Sequence, residues 1–277
     1  MALKFTNAQI RSSQKGVYML KNERHEEILL ILKDKHFASV GYLGDTVHAS
    51  QPTIRRDLDF LEKQGLVRRS HGGVMLADGK INAPVPFRKG TRIKEKNNIC
   101  RLAAKLIKPN QSIFTDASTT AFCLSGFIDK DDGLTVITNG LSMCRALSEN
   151  SIRTFSTGGR LVRESEAFVG RIAEDSVKKF YADIMFFSSS SFDDEGVISD
   201  YSEEETSLRK TMKEHSQKTV FLCDSGKFHT RSAFLAFSAH EIDYIVSDLK
   251  LSDELVNKCG LSVYMQDDGA IMYKKDN

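Results

Sequence analysis

Two sets of residues in this chain could do chemistry, and both suit the gripping of phosphate better than the making or breaking of bonds. The first is Ser50, Gln51, Thr53, Arg55 and Arg56, joined a little further on by Arg69 and His71. Hydroxyl, amide and guanidinium donors concentrated in one short stretch match the base edges and phosphates of duplex DNA. The second set lies in four polar segments: Thr115-Asp116-Ala117-Ser118-Thr119-Thr120, Thr138-Asn139-Gly140, Thr157-Gly158-Gly159-Arg160 and Asp224-Ser225-Gly226-Lys227. Successive hydroxyls, glycines that let backbone N–H groups come close, and a lysine make a cradle for a small phosphorylated ligand. Asp116, Ser118, Thr119, Thr120, Asn139, Gly158, Gly159 and Lys227 are therefore the candidate effector-binding residues.

Bond-breaking chemistry finds no comparable set. Moving a proton at a carbon next to a carbonyl requires a placed carboxylate base. Asp193, Asp194 and Glu195 precede Gly196 and read as solvated turn acids, while Glu205 stands one helical turn before Arg209 and pairs with it. His215, His229 and His240 have neither nucleophile nor metal-ligand spacing. The expectation is a binding protein with no catalytic residue, no metal and no cofactor.

The elements that must position the first set are legible over about 50 residues. Ser50 suits a helix N-cap and Pro52 its first turn. Ile54, Leu58 and Leu61 then recur at i, i+4 and i+7 as one apolar stripe. Pro52, Arg56, Asp59 and Lys63 face away from it, with Arg55 on the flank, and Gly65 ends the helix. Phe60 falls about 120° from the stripe, where the helical period gives it no partner. Upstream, residues 23–35 form a helix carrying Ile28, Leu29, Ile31 and Leu32, and residues 40–47 a shorter one. His48-Ala49 is the turn of a helix-turn-helix. Residues 66–69 and 74–76 read as two strands joined at Gly72-Gly73, glycines suited to positive φ, with Arg69 and His71 at the tip of a basic wing.

At 277 residues the chain is long enough for two domains. The expected division is a flexible extension over 1–20, with Met19 a natural start, a winged helix-turn-helix over 21–77, a linker over 78–94 and an effector domain over 95–277. The linker holds Asp78-Gly79, Asn82, Pro84 and Pro86 without periodicity. In the effector domain, helical stretches (95–107, 120–128, 141–149, 203–215) alternate with strand-like ones (112–114, 134–138, 152–156, 184–188, 220–223, 244–247). Such alternation predicts an α/β fold with a mostly parallel sheet flanked by helices, and its ligand at the carboxyl ends of the strands.

The hydrophobic fraction of 40% and charged fraction of 27% are ordinary for a globular protein. Net charge is only +2, with 13 Lys/Arg against 9 Asp/Glu in residues 1–80 and 26 against 28 in the rest. DNA binding must therefore come from where the cations are placed. Five cysteines without short paired spacing read as reduced thiols, and no apolar run reaches the roughly 20 residues of a membrane helix. A cytoplasmic location with no membrane partner is expected.

The helix and wing resemble the DeoR family of bacterial transcription regulators. The family signature of Ser, two variable residues, Thr-Ile-Arg-Arg-Asp-Leu, a further Leu, Gly, Arg, one residue and His-Gly-Gly is met at Ser50, Thr53–Leu58, Leu61, Gly65, Arg69 and His71–Gly73. Gly41 and Gly44 depart from the family's acidic and alanine residues. At about 1 kcal/mol each relative to alanine, they predict a frayed short helix. The resemblance continues through Asp116, Ser118–Thr120, Leu134–Asn139, Gly158-Gly159, Glu205 with Arg209-Lys210, and Asp224–Phe228. It implies a sensor domain similar to ribose-5-phosphate isomerase, binding a phosphorylated sugar. Ser118 replaces the commoner glycine and adds a hydroxyl, and Ser188–Ser191 stands where many relatives carry Gly-Ala-Asp-Gly. The resemblance also implies a homodimer or homotetramer on double-stranded operator DNA, repressing genes of carbohydrate uptake and catabolism. The alternatives are a sugar-phosphate isomerase with an appended winged helix and, more weakly, a winged helix that docks protein.

Overall fold

The computed structural model describes residues 20–35, 37–70, 73–77 and 85–276, in two units divided between Gly79 and Lys80. Except for Leu20, the expected N-terminal extension lies outside the described residues, as do His71 and Gly72.

The first unit has three helices, α1 (Lys21–Lys35), α2 (Val40–Thr46) and α3 (Gln51–Lys63), then the antiparallel strands β1 (Val67–Ser70) and β2 (Gly73–Leu76). Ile28, Leu32, Leu43, Ile54, Leu58, Leu61 and Val74 form its core, each with at most 1% of its surface exposed. The apolar stripe of α3 is thus fully used. Ser50 caps α3 by accepting from Thr53 N, and Gly65 follows the helix at φ +71°.

Two glycine readings are corrected here. The short helix α2 is a regular seven-residue element, capped by the Ser39 side chain at Tyr42 N. Gly44 is the reason: a Cβ there would stand 2.8 Å from Ala49 O, so its absence lets α2 pack tightly on the turn into α3. Gly73 is not in the left-handed region. It is needed because residues 37–38 run against it, and a Cβ would meet Ala38 O at 2.4 Å.

The second unit is built on an eight-stranded sheet, together with the short elements described below. In chain order its strands are β3 (Ser112–Thr115), β4 (Thr135–Thr138), β5 (Arg153–Ser156), β8 (Ile184–Phe187), β11 (Thr219–Cys223), β13 (Tyr244–Ser247), β14 (Leu261–Asp267) and β15 (Ala270–Lys275). Across the sheet the order is β14-β15-β13-β11-β8-β3-β4-β5. The six strands from β13 to β5 run parallel, and β15 and β14 add antiparallel at one edge. Alternate residues serve opposite faces. Ile184 and Phe186 join the apolar cluster containing α5 (Ile93–Ala103) and α7 (Leu141–Glu149), whereas Met185 and Phe187 join the cluster containing α8 (Arg171–Val177) and α9 (Glu203–Glu214). The expected α/β architecture is present.

Several elements were not predicted. The helix expected over 120–128 is only α6 (Thr119–Phe122) followed by a 3-10 turn, and α5 ends the same way. Part of the expected linker is helical, α4 (Val85–Gly90), with Val85 buried. A hairpin, β6 (Arg160–Val162) and β7 (Ala167–Val169), and a small sheet of β9 (Ser191–Phe192), β10 (Val197–Asp200) and β12 (Phe234–Ser238) pack on the main body, with α10 (Asp253–Cys259) near the end. These pieces are too short to show a period and depend on tertiary contacts.

Candidate functional site

The set expected to contact DNA begins at the N-terminus of α3. Gln51, Arg55 and Arg56 are all exposed, Arg56 on the side opposite the buried stripe and Arg55 on its flank. Ser50 and Thr53 are partly spent on the cap, their hydroxyls 2.9 Å apart. Arg69 is tied back from the wing to the helix, donating to Arg55 O at 3.0 Å and pairing with Asp59 and Glu62. It therefore fixes the wing against α3 as well as presenting charge. His71 lies outside the described residues.

Sequence reasoning missed the residue that holds α3 in place. Asp57 is 2% exposed and receives Arg24 Nε at 2.6 Å and His25 Nε2 at 2.9 Å, joining α1 to α3. Phe60, unassigned from the period, stacks on the His25 ring at 5.1 Å with Lys21 Nζ 4.7 Å from its centroid. The signal was an acid on the buried side of an amphipathic helix, which demands a cationic or donor partner.

The residues expected to bind effector follow the carboxyl ends of parallel strands, and Asp116 stands at the crevice where the order reverses between β3 and β8. Asp116 spans that crevice. Its backbone N–H donates to Phe186 O, and its carboxylate accepts from Ser118 N, Ser118 Oγ, Ser188 N and Arg209 Nε. The Ser118 hydroxyl, expected as an extra donor to ligand, is engaged by Asp116 and by Ala121 N.

A small cleft, partly open to solvent, lies beside this crevice and is lined by Val85, Lys89, Asp116–Thr119, Phe122, Gly140, Ser142, Met143, Ser165 and Glu166. It brings together Asp116, Ser118 and Thr119. Thr120, Asn139, Gly158, Gly159 and Lys227 are not among its walls. Thr120 and Lys227 are behind it: Lys227 Nζ donates to Thr120 Oγ1 at 2.9 Å and to Ser188 Oγ, and lies 3.1 Å from Asp224 Oδ2. Asn139 donates to Phe168 O, and its buried Oδ1 has no partner. Gly159, at φ +108°, permits a close approach, since a Cβ would stand 2.7 Å from Val169 O.

Arg209 organises the crevice. It is buried and donates to Asp116 Oδ2 at 2.7 Å, Asp200 Oδ2 at 2.8 Å and Glu205 Oε2 at 3.2 Å. A guanidinium fork spent on three carboxylates joins β3, β10 and α9 and is not offered to a ligand. Burial pushes Asp200 and Glu205 upward. Arg209, the Ser190 hydroxyl and the N–H groups of Tyr201 and Ser202 bring Asp200 below the usual carboxylate range, whereas burial and neighbouring Asp200 leave Glu205 raised.

Two lysines stand behind the loop at Ser118–Thr120. Burial lowers Lys96 to about 8, with Asp224 opposing and Lys227 adding to the effect. Its Nζ donates to Thr119 Oγ1 at 3.1 Å and to Arg88 O at 2.5 Å. Burial raises Asp224, but Lys227 and Lys96 hold it below its ordinary value. The cleft wall at Ser118 and Thr119 is therefore backed by positive charge. Asp193, Asp194 and Glu195 are engaged elsewhere, with Arg231, His229 and Lys258. Among the described residues no group of three or more His, Cys, Asp or Glu is placed to hold a metal ion, and no helix is long and apolar enough to cross a membrane.

Comparison with known proteins follows the same division. A model of the DeoR-like helix-turn-helix domain matches residues 24–80, and one of the DeoR C-terminal sensor domain matches residues 91–249. An uncharacterized HTH-type transcriptional regulator of Bacillus subtilis is 35% identical over 83% of this chain and 90% of its own. An L-fucose operon activator of Haemophilus influenzae is 32% identical over 86% and 96%, and a glycerol-3-phosphate regulon repressor of Escherichia coli is 27% identical over 83% and 92%. Ribose 5-phosphate isomerase A of Methanocaldococcus jannaschii overlaps 66% of this chain and 80% of its own at 12% identity and a TM-score of 0.38, too slight to bear on function.

Proposed function

This chain belongs to the DeoR family of transcriptional regulators, and from that premise we propose that it grips operator DNA through α3 and the wing and adjusts that grip to a phosphorylated sugar in the second unit. The observation that carries the effector half is the cleft beside the strand-order reversal, walled by Ser118 and Thr119 and backed by Lys96 and Lys227. Gln51, Arg55, Arg56 and Arg69 contact the duplex, Arg55 and Arg56 dividing phosphate contact and base reading. A homodimer or dimer of dimers would set two copies of α3 on successive major grooves roughly 34 Å apart. Relatives named for glycerol-3-phosphate and L-fucose regulons support a carbohydrate-linked effector and a role in controlling uptake and catabolism genes, here as a repressor released by its ligand in the cytoplasm.

The reading as a sensor without turnover is supported by where the acids are. Asp116 is saturated by Arg209 and three serine donors, and Asp193, Asp194 and Glu195 are held by Arg231, His229 and Lys258. The test uses purified full chain and the DNA upstream of its own operon. A phosphorylated sugar should change DNA affinity by 5–150-fold, the range of a coupling of about 1–3 kcal/mol. Mixtures of aldose phosphates should meanwhile emerge unconverted. DNA binding indifferent to every phosphorylated sugar, or conversion of one at enzymic rates, overturns the proposal.

A further inference from the structure

Helix α4 forms one wall of the cleft, and it is the first described helix after the wing in the chain. It is fastened there by Val85, whose side chain is 2% exposed and whose N–H donates to Glu164 O at 3.1 Å, and by Arg88 O, which accepts from Lys96 Nζ. Lys89 reaches from it into the cleft. Its Nζ donates to Ser142 Oγ at 2.5 Å, lies 3.6 Å from Glu166 Oε2 and stands 4.5 Å from the centre of the Phe122 ring. Ser118 and Thr119 line the same cleft.

Glu166 is an unusual partner. It occupies the turn between β6 and β7 at φ +50°, a region that a glutamate adopts only against steric resistance. Leu141 N holds it there by donating to Glu166 O at 2.9 Å. Its carboxylate accepts from Ser142 Oγ and faces Lys89. Both charged side chains remain about one-third exposed, so neither is locked away from solute.

We propose that Lys89 is a ligand-binding cation of this cleft and that Glu166 is its internal competitor, so that α4 registers whether an anion is bound. The inference rests on the reading above that the cleft receives a phosphorylated sugar. A phosphate at neutral pH carries nearly two charges and three acceptor oxygens, against one charge and two oxygens for Glu166. It therefore draws the ammonium from Glu166 toward the loop at Ser118–Thr119. Because Lys89 stands on the segment that leads back to the DNA-binding unit, this exchange alters the anchoring of that segment directly.

The experiment titrates full-length protein with inorganic phosphate, ribose 5-phosphate, glycerol 3-phosphate, glucose 6-phosphate and fructose 6-phosphate. The tightest binder is then measured against Lys89→Ala, Glu166→Gln and Thr119→Val, with hydrogen exchange followed over residues 85–92. Lys89→Ala should weaken binding roughly tenfold, and Glu166→Gln should tighten it. A merely structural Lys89–Glu166 pair would move both variants the same way. Ligand should change exchange over 85–92 in the parent and not in Lys89→Ala. If Thr119→Val weakens binding while Lys89→Ala and Glu166→Gln leave it unchanged, the role of Lys89 is overturned and the cleft stands. If no phosphorylated compound binds, or Thr119→Val has no effect on the one that does, the cleft reading itself falls, and this inference with it.

Discussion

His25 Nε2 lies 2.9 Å from Asp57 Oδ1, with both side chains almost wholly withdrawn from water. A carboxylate can only accept, so the imidazole carries its proton on Nε2 and donates it. Asp57 directly follows Arg55 and Arg56 on α3 and is buried against α1 through Arg24 and His25. The acid within the Arg55-Arg56-Asp57-Leu58 run is therefore the fixture that aims the arginines. Asp57→Ala leaves Arg24 and His25 facing a buried gap. Removing one member of such a pair costs about 3 kcal/mol, which thermal unfolding and hydrogen exchange in α1 and α3 should register together with weaker DNA binding. Unchanged exchange in both helices would remove Asp57 from this role.

The same pair makes the first unit sensitive to acid. Burial, opposed by the Asp57 hydrogen bond, holds His25 below its ordinary value of 6.5. The unfolded chain takes up that proton as pH falls through 6.5, while the folded chain resists it. Stability is accordingly complete above 6.5 and declines below it. Hydrogen exchange in α1 and α3 at pH 7.5 and 5.5 should show the loss, and His25→Gln should reduce the difference. Equal protection at both values excludes a neutral buried His25.

The fold and the candidate site were legible to different degrees, for different physical reasons. The stripe Ile54, Leu58, Leu61 and the cap Ser50 are local signals that tertiary packing reinforces, and strands such as 244–247 announce themselves by composition. Phe60 and Asp57 were opaque because their partners, His25 and Arg24, lie some 30 residues away and share no period with them. The polar strand ends were found through turn chemistry, yet that chemistry cannot say which hydroxyls are spent internally. Ser118 satisfies Asp116 and Ala121, and Lys227 is absorbed by Thr120, Ser188 and Asp224. Lys89 escaped notice because α4 is too short to show a period and was read as linker, and Glu166 because it sits in the turn of a hairpin whose strands are only three residues each.

Arg56 is exposed on the outer face of α3. Arg56→Ala should weaken operator binding by about 1–3 kcal/mol if it reads a base, or lower the salt slope by about 1 if it grips phosphate. Affinity measured across a range of salt concentrations separates the two. A variant with parental affinity and slope would take this face of the helix out of the groove.

Arg209 satisfies three carboxylates at once, and a lysine has no fork with which to do so. Arg209→Lys should therefore destabilise the second unit by about 3 kcal/mol or more, with Asp116 and the loop at Ser118–Thr120 released first. Thermal unfolding and exchange at residues 115–120 measure this. A variant as stable as the parent would show that the cluster does not need its central cation.

Lys96 sets the last expectation, the pH dependence of effector binding. Burial lowers its ammonium to about 8, and it donates to Thr119 Oγ1 on the wall of the cleft. An anion bound there favours the charged lysine and raises that value. Binding near pH 8 therefore takes up protons, and affinity falls as pH rises through 8. The phosphate group adds little to this window, because its own second proton is lost near pH 6. Calorimetry with the tightest-binding sugar phosphate at pH 7 and 9, in buffers of unlike ionisation enthalpy, should show weaker binding at pH 9 and net proton uptake at pH 8. Lys96→Met should flatten the profile. Equal affinity at pH 7 and 9 in the parent protein would mean that Lys96 does not sense the bound anion, and that the positive charge behind Thr119 comes from Lys227 alone.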